Sequence, residues 1–312
     1  MEYGFVTMAD GSKRKVSRLI LGTALFGGGI DEDAAFRMMD LFAGQGGNAL
    51  DSARVYCEWL ENGRDASERT VGRWIRSRGM ENQIFLITKG GHPRLDSMHV
   101  SRLSPEEIRG DMEKSLDVLG LDRVDLYYLH RDDERLAVGG MMDALDELVR
   151  AGLTRAIGGS NWHARRLIEA NDWARAHGKH LMTASEVQWS YVDFKNAVSD
   201  DTLVGMDEAE LALYQQTDLA VMAYSSQSGG VFSCGYKDDL SDAAPKHRKY
   251  VSGENIRRYR ALLERCDKEP GLSPSRVVLE HVTRHPKLNG FALIGCSSAD
   301  QLKTTLSAMA GA

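Results

Sequence analysis

Short apolar runs recur eight times along the chain, and each is followed by a longer stretch whose apolar residues fall three and four positions apart. The runs lie at residues 19–21, 49–50, 84–87, 124–129, 154–158, 185–187, 219–223 and 291–294. The segments between them, such as 105–119, 141–151 and 164–176, have the period of amphipathic helices, so strand and helix alternate throughout. Alternation of this kind builds a parallel sheet covered by helices. A repeat of roughly thirty residues taken eight times fits the ~250-residue closed (β/α)8 TIM barrel better than an open doubly wound sheet. An open sheet is the alternative on pattern alone.

Two segments fall outside the repeat. Residues 5–19 place short extended runs on either side of Ala9-Asp10-Gly11, a turn signal, and so predict an N-terminal β-hairpin that closes one end of the barrel. Residues 232–252, after the seventh strand, are rich in Gly, Asp, Lys and Ser without periodicity and predict a long, structureless loop. No Pro- or Ser-rich linker interrupts the 312 residues, which reads as a single domain over 1–312.

The 42% of hydrophobic residues suffice for a large core. The 45 acidic and 39 basic residues are interspersed, with a net charge of −6, so no basic block is present to neutralise a nucleic-acid backbone. The four cysteines, Cys57, Cys234, Cys266 and Cys296, are too scattered for a disulfide framework or a structural zinc site, which points to a reducing cytoplasm. No run approaches the ~18 apolar residues of a membrane span, and the N-terminus reads as mature protein.

In a barrel, reactive groups gather where strands end. Asp51, Lys89, His130, Ser160-Asn161, Gln188 and Tyr224 close six of the apolar runs, and Tyr56 follows Asp51 closely. Each has a bland reading: a helix cap or ion-pair partner for the Asp, a solvent-reaching Lys, a packed Tyr, a satisfied core His. Together they offer an acid, a cation, a phenol and an imidazole at one mouth. Hydride transfer to a carbonyl calls for that set, because the developing alkoxide needs a proton donor and a polarising group. Lys89 would stabilise the phenolate of Tyr56 and make the phenol more acidic, Asp51 would hold the Lys, and His130 would orient the carbonyl oxygen. In the oxidative direction Tyr56 would act as base.

The runs Ala49-Leu50-Asp51-Ser52-Ala53-Arg54-Val55-Tyr56, Ser67-Glu68 with Gly72, Ile87-Thr88-Lys89, Asp125-Leu126-Tyr127-Tyr128-Leu129-His130 and Gly158-Gly159-Ser160-Asn161, followed by Gln188 and Ala223-Tyr224-Ser225, resemble the aldo-keto reductases in order and spacing. The resemblance extends from Leu21-Gly22-Thr23 to the last helix. It implies that Tyr56, Lys89, Asp51 and His130 form a catalytic tetrad and that the cofactor is NADP(H), with NAD(H) left open. It implies cofactor contacts at Gly22, Thr23, Ser160, Asn161, Gln188, Tyr224 and Ser225. Gly295, Ser297, Gln301 and Thr305 would hold the adenosine phosphate end at a helix N-terminus. Ile294 and Thr305 depart from the proline and late asparagine of many relatives, and no Lys or Arg lies within 295–301 to clamp a 2′-phosphate. Lys303, or Lys246-His247-Arg248-Lys249 folding over from the insertion, could supply that cation, although that run reads equally as a solvated loop face.

Phe26, Trp59, Trp162 and Trp189 fall just past strand ends and are candidates for a substrate wall, although aromatics there also pack ordinarily. Arg131-Asp132-Asp133 suggests a polar mouth and a sugar or polyol. His281 and His285 read as surface residues with no metal to bind, and Gly90-Gly91 and Gly229-Gly230 are not a Rossmann fingerprint. The expected activity is NAD(P)(H)-dependent interconversion of a small-molecule carbonyl and an alcohol. The alternatives are a cofactor-binding regulatory subunit of the same fold and, less favoured, a metal-assisted hydrolase.

Overall fold

Eight parallel strands, each buried on both faces, close on themselves, and this double burial is why they read as unbroken apolar runs. The computed structural model describes residues 1–194, 200 and 202–310. The barrel strands are β3 (Leu19–Gly22), β4 (Ala49–Asp51), β5 (Phe85–Gly90), β6 (Leu126–Leu129), β7 (Ile157–Ser160), β8 (Met182–Gln188), β9 (Ala220–Tyr224) and β10 (Asn289–Ile294). They pair in chain order, and β10 closes the ring by pairing with both β9 and β3. Before them, β1 (Tyr3–Thr7) and β2 (Lys13–Ser17) form an antiparallel hairpin whose turn places Gly11 at φ +81°.

Alternate residues of a strand face opposite sides, and the packing divides accordingly. Ile20, Ala49, Phe85, Ile87, Leu126, Tyr128, Ala156, Ala184, Met222 and Phe291 fill the barrel interior in one cluster with Val6, Met8 and Val16 of the hairpin. The hairpin therefore plugs the end at which the strands begin. Leu21, Leu50, Leu86, Tyr127, Ile157, Val187 and Val221 belong to a second cluster with the outer helices. Those helices include α1 (Glu32–Gly44), α2 (Ala66–Arg78), α3 (Pro105–Leu119), α4 (Val138–Arg150) and α5 (Ala164–His177). The chain continues with α6 (Glu208–Tyr214), α7 (Gly253–Lys268), α8 (Pro274–Thr283) and α9 (Ala299–Ala310). Helix α3 starts at a Ser104/Glu107 capping box with Pro105 in its first turn and stops at left-handed Gly120. Among the described residues, no helix is long and apolar enough to cross a membrane.

Two expectations need correction. The fifth barrel strand was expected at 154–158 but runs from Ile157 to Ser160, with Thr154 making only an isolated bridge to Val124. The Thr154 hydroxyl bonds the Ala156 carbonyl at the entry, while the later residues include glycines, which carry little strand propensity. They are required there: a Cβ on Gly158 would lie 2.2 Å from the Ala184 carbonyl oxygen, and one on Gly159 would lie 2.6 Å from the Trp162 ring. The segment 232–252 is not structureless. Short 3-10 segments span Ser228–Ser233 and Pro245–Tyr250, and Phe232, Leu240, Ala243 and Tyr250 pack with Tyr259, Leu262, Val277 and Val278 of α7 and α8. Single side chains at irregular spacing make these contacts, so no period announces them.

Candidate active site

The inward-facing rows that fill the barrel end in polar residues at the C-terminal rim. Ala49 leads to Asp51, Ile87 to Lys89, Tyr128 to His130, Ala184 to Glu186 and then Gln188, and Met222 to Tyr224. Strand periodicity alone thus delivers these side chains to one place. Lys89 is fully buried and donates to Asp51 Oδ1 (2.5 Å), to the Ser52 carbonyl (3.0 Å) and to the Tyr56 hydroxyl (3.0 Å), which in turn donates to Asp51 Oδ2 (3.1 Å). The turn that presents Tyr56 is fixed by Arg54, whose N–H bonds the Lys89 carbonyl and whose guanidinium pairs with Asp65 and Glu68. The Thr23 hydroxyl bonds the Asp51 carbonyl at 2.8 Å and lies 2.8 Å from Ser67 Oγ, so Thr23 supports Asp51 from behind and does not line the cavity.

Burial disfavours the Lys89 ammonium, but Asp51, Glu186 and Tyr56 outweigh it and hold its pKa above the ordinary lysine value. Tyr56 behaves otherwise than its neighbour suggests. Burial first and Asp51 second raise its phenol well above the usual tyrosine value, and the opposing pull of Lys89 does not compensate. The expected acidic phenol is thus absent from the free protein; the ammonium limits a rise that it does not reverse.

His130 lies edge-on to Tyr56, with ring centroids 5.9 Å apart. Burial, then the charges of Arg131 and Lys89, push its pKa far below the ordinary histidine value, so the ring is neutral. Among the described residues its Nδ1 has no hydrogen-bond partner. His92 packs edge-on against it at 4.9 Å and is pinned by donating to the Pro93 carbonyl (2.6 Å).

Glu186 escaped the sequence reading. It stands one inward position before Gln188, 2% exposed, with Oε1 3.5 Å from Lys89 Nζ and no partner for Oε2. Burial, followed by the Asp51 charge, pushes its pKa up to about 8 against the pull of Lys89. The available signal was a charge inside an otherwise apolar inward row.

A cavity of about 500 Å³ opens over this cluster. Asp51, Tyr56, His130, Glu186 and Asn161 line one part, and Gly22, Leu25, Phe26, Ile30, Tyr224, Ser225 and Leu293 the walls. Gly295, Cys296, Ser297 and Gln301, ahead of and in the first turn of α9, line the rest. Asn161, at φ +56°, already uses its amide: Oδ1 accepts from Tyr224 OH (2.8 Å) and Val204 N (3.2 Å). Ser160 and Gln188 are buried just behind the lining, and Gln188 Oε1 is unpartnered. Gln301 Oε1 accepts from the Ser297 N–H (2.7 Å) and closes the turn into α9. Thr305, within α9, is buried and does not itself line the cavity, but its side chain bonds Cys296, which does. Among the described residues Arg131 is the one cation lining the cavity; Lys303, Lys246, Arg248 and Lys249 are exposed elsewhere.

Of the proposed substrate wall, only Phe26 lines the cavity. Trp59 is 50% exposed, touching Tyr56 edge-on at 6.5 Å. Trp162 is fully buried, donates its Nε1–H to the Arg131 carbonyl (3.2 Å) and lies under the Arg166 guanidinium. Trp162→Ala is therefore expected to lower unfolding free energy by roughly 3–5 kcal/mol, measured by denaturant titration. Ligand affinity should change little. Trp189 packs on His281 and His285 at 5.6 and 5.4 Å, so these histidines are half-buried packing partners and not surface residues. The acids of the supposed polar mouth are spoken for: Asp132 pairs with Arg166 and Asp133 with Arg135.

A (β/α)8 barrel with an ammonium held between a carboxylate and a phenol at its rim has the architecture of an enzyme whose cavity sits at the C-terminal ends of its strands. The profile of the Aldo/keto reductase family matches residues 18–311, and the chain belongs to this family. It is 30% identical to the uncharacterized oxidoreductase YrpG of Bacillus subtilis, over 95% of this chain and 88% of that one. It is 26% identical to the norsolorinic acid reductase stcV of Emericella nidulans, over 95% of this chain and 74% of the relative. It is also 26% identical to the putative aryl-alcohol dehydrogenase AAD14 of Saccharomyces cerevisiae, over 95% and 79%.

Proposed function

We propose that this chain is an NAD(P)(H)-dependent oxidoreductase that interconverts an aldehyde or ketone with an alcohol. The observation that carries the reading is the Asp51–Lys89–Tyr56 contact set at the floor of a cavity that also exposes a neutral His130. Three buried polar atoms without partners, His130 Nδ1, Gln188 Oε1 and Glu186 Oε2, stand in or beside this cavity, which is where a ligand with polar groups would satisfy them.

Asn161, with Ser160 and Gln188 just behind it, would take the amide end of a nicotinamide, Tyr224 would flank its ring, and the stretch from Gly295 to Gln301 would take the phosphate end. When bound, the reduced cofactor supplies hydride. The chain's own part is proton handling and orientation. His130 meets the carbonyl oxygen as a neutral donor, and Tyr56, kept protonated by its raised pKa, gives its proton to the oxygen as charge develops there. Lys89 then lies 3.0 Å from the phenolate that remains and stabilises it. In oxidation the phenolate takes the alcohol proton.

Leu25, Phe26, Ile30, Leu203 and Leu293 make the walls apolar, which favours an aromatic or aliphatic carbonyl over the sugar suggested by Arg131-Asp132-Asp133. Two of the relatives are named as a norsolorinic acid reductase and a putative aryl-alcohol dehydrogenase, the second of which is in keeping with an aromatic substrate. The test is consumption of NADPH and of NADH, followed optically, with a panel of aromatic, aliphatic and sugar carbonyls. Oxidation of neither cofactor with any of them would overturn the reading. With no Lys or Arg from Gly295 to Gln301, discrimination between the two cofactors is expected to be small. Phe26→Ala should raise KM for an aromatic aldehyde about tenfold while kcat changes little, because a wall removes binding shared by ground and transition states.

A further inference from the structure

Lys89 has three N–H donors, and Asp51, Ser52 and Tyr56 take them all. Glu186 faces the same ammonium at 3.5 Å and is in side-chain contact with Asp51, and among the described residues its Oε2 has no hydrogen-bond partner. Two buried carboxyl groups thus share one cation. The least costly way to bury that set is to keep one proton on it, since both acids ionised would leave an uncompensated negative charge out of water. Glu186 also lines the cavity, so charge arriving there acts on it directly.

We propose that Glu186 is a positioning residue that carries a proton in the free protein, donates it in a hydrogen bond to Asp51, and releases it to solvent when positive charge enters the cavity. The inference rests on the nicotinamide reading of the site, because the oxidised ring is the cation in question. Proton and charge balance: the carboxylic acid becomes carboxylate, one proton goes to solvent, and the new negative charge matches the ring's positive one. A reduced ring brings no charge and leaves the proton in place. The cluster thereby senses the redox state of what it holds.

The other groups around Glu186 do not change charge in the neutral range. Tyr56, Tyr128 and Tyr224, from the β4 turn, β6 and β9, are raised and stay neutral. His130 and His92 are lowered and stay neutral, and Lys89 is raised and stays charged. Asp51 on β4, Arg131 after β6 and the nearby Asp200 complete the charged surroundings.

The test has two independent arms. Infrared titration of the free protein should show a carboxylic-acid carbonyl band at neutral pH that disappears toward about 8 and is missing in Glu186→Gln. Calorimetry in buffers of different ionisation heat should count about one proton released on binding oxidised dinucleotide below that pH and none on binding the reduced form. By linkage, affinity for the oxidised form should tighten about tenfold per pH unit on rising toward it and level off above. In E186Q both proton release and this slope should vanish. The calorimetric comparison needs only wild-type protein, so a variant that fails to fold does not block it. Absence of the band, its persistence in E186Q, or binding of the oxidised form without proton release would each overturn the proposal. Failure of either dinucleotide to bind would overturn the nicotinamide reading and the release step with it, whereas the infrared band of the free protein stands or falls by itself.

Discussion

Tyr56→Phe is expected to lower kcat for carbonyl reduction by a factor of about 10²–10⁴ and to leave dinucleotide affinity within a few-fold of wild type. The range is that of a positioned general acid. The ring, its edge contact with His130 and the shape of the cavity floor all survive the change, so only the proton and two hydrogen bonds are lost. Leaving Lys89 and Asp51 short of a partner costs about 1–3 kcal/mol of stability, too little to mimic the loss by unfolding. Steady-state kinetics beside a fluorescence titration of the dinucleotide would check this. The same variant separates an enzyme from a regulatory subunit: a protein that works by holding a cofactor against a partner keeps its effect without the phenol, and unchanged turnover would remove Tyr56 from the chemistry.

Lys89→Met is expected to be the more damaging change, because it strikes both activity and fold. Methionine fills much of the space but removes the cation that, among the described residues, lies between Asp51 and Glu186, both of them buried. Removing one partner of a buried ionic set costs roughly 3–5 kcal/mol, and turnover should fall at least as far as in Y56F. The deficit has a definite pH dependence. A carboxyl whose folded pKa lies above its unfolded value favours folding most when protonated, and Glu186 is already raised with the ammonium present. Without that ammonium it is raised further, so both proteins keep this acid protonated below about 8 and the variant's added penalty from it should stay level there and grow as pH rises above that value. Urea denaturation of wild type and variant across pH measures it; a midpoint unchanged at pH 7 would mean that Lys89 is not the cation the cluster depends on.

How far the sequence discloses this molecule depends on how local the governing physics is. The barrel is legible because strands covered on both faces must be apolar at every position, and helices covered on one must repeat by three and four. Asp51, Lys89 and His130 are legible because each interrupts such a run at its end. Glu186 sits within a strand, where a charge reads as noise until the opposing Lys89 is placed across the barrel. Trp162 and Trp189 follow strands just as Phe26 follows its own, and sequence position cannot say which of them turns inward. The sign of the Tyr56 shift is a balance among burial, two carboxylates and one ammonium, none of them adjacent in the chain, so reasoning from the nearest cation alone reaches the wrong direction.

The hairpin of β1 and β2 has a practical corollary. With Val6, Met8 and Val16 stoppering the base of the barrel, reactants and products share one doorway, on the side opposite Met1. Tyr3 anchors this base to the Gly46 carbonyl, on the approach to β4, and Glu2 anchors it to Arg284, just past α8. A bead, electrode or affinity handle attached through the first residue would therefore hold the protein by its closed heel, with the working face turned toward solution.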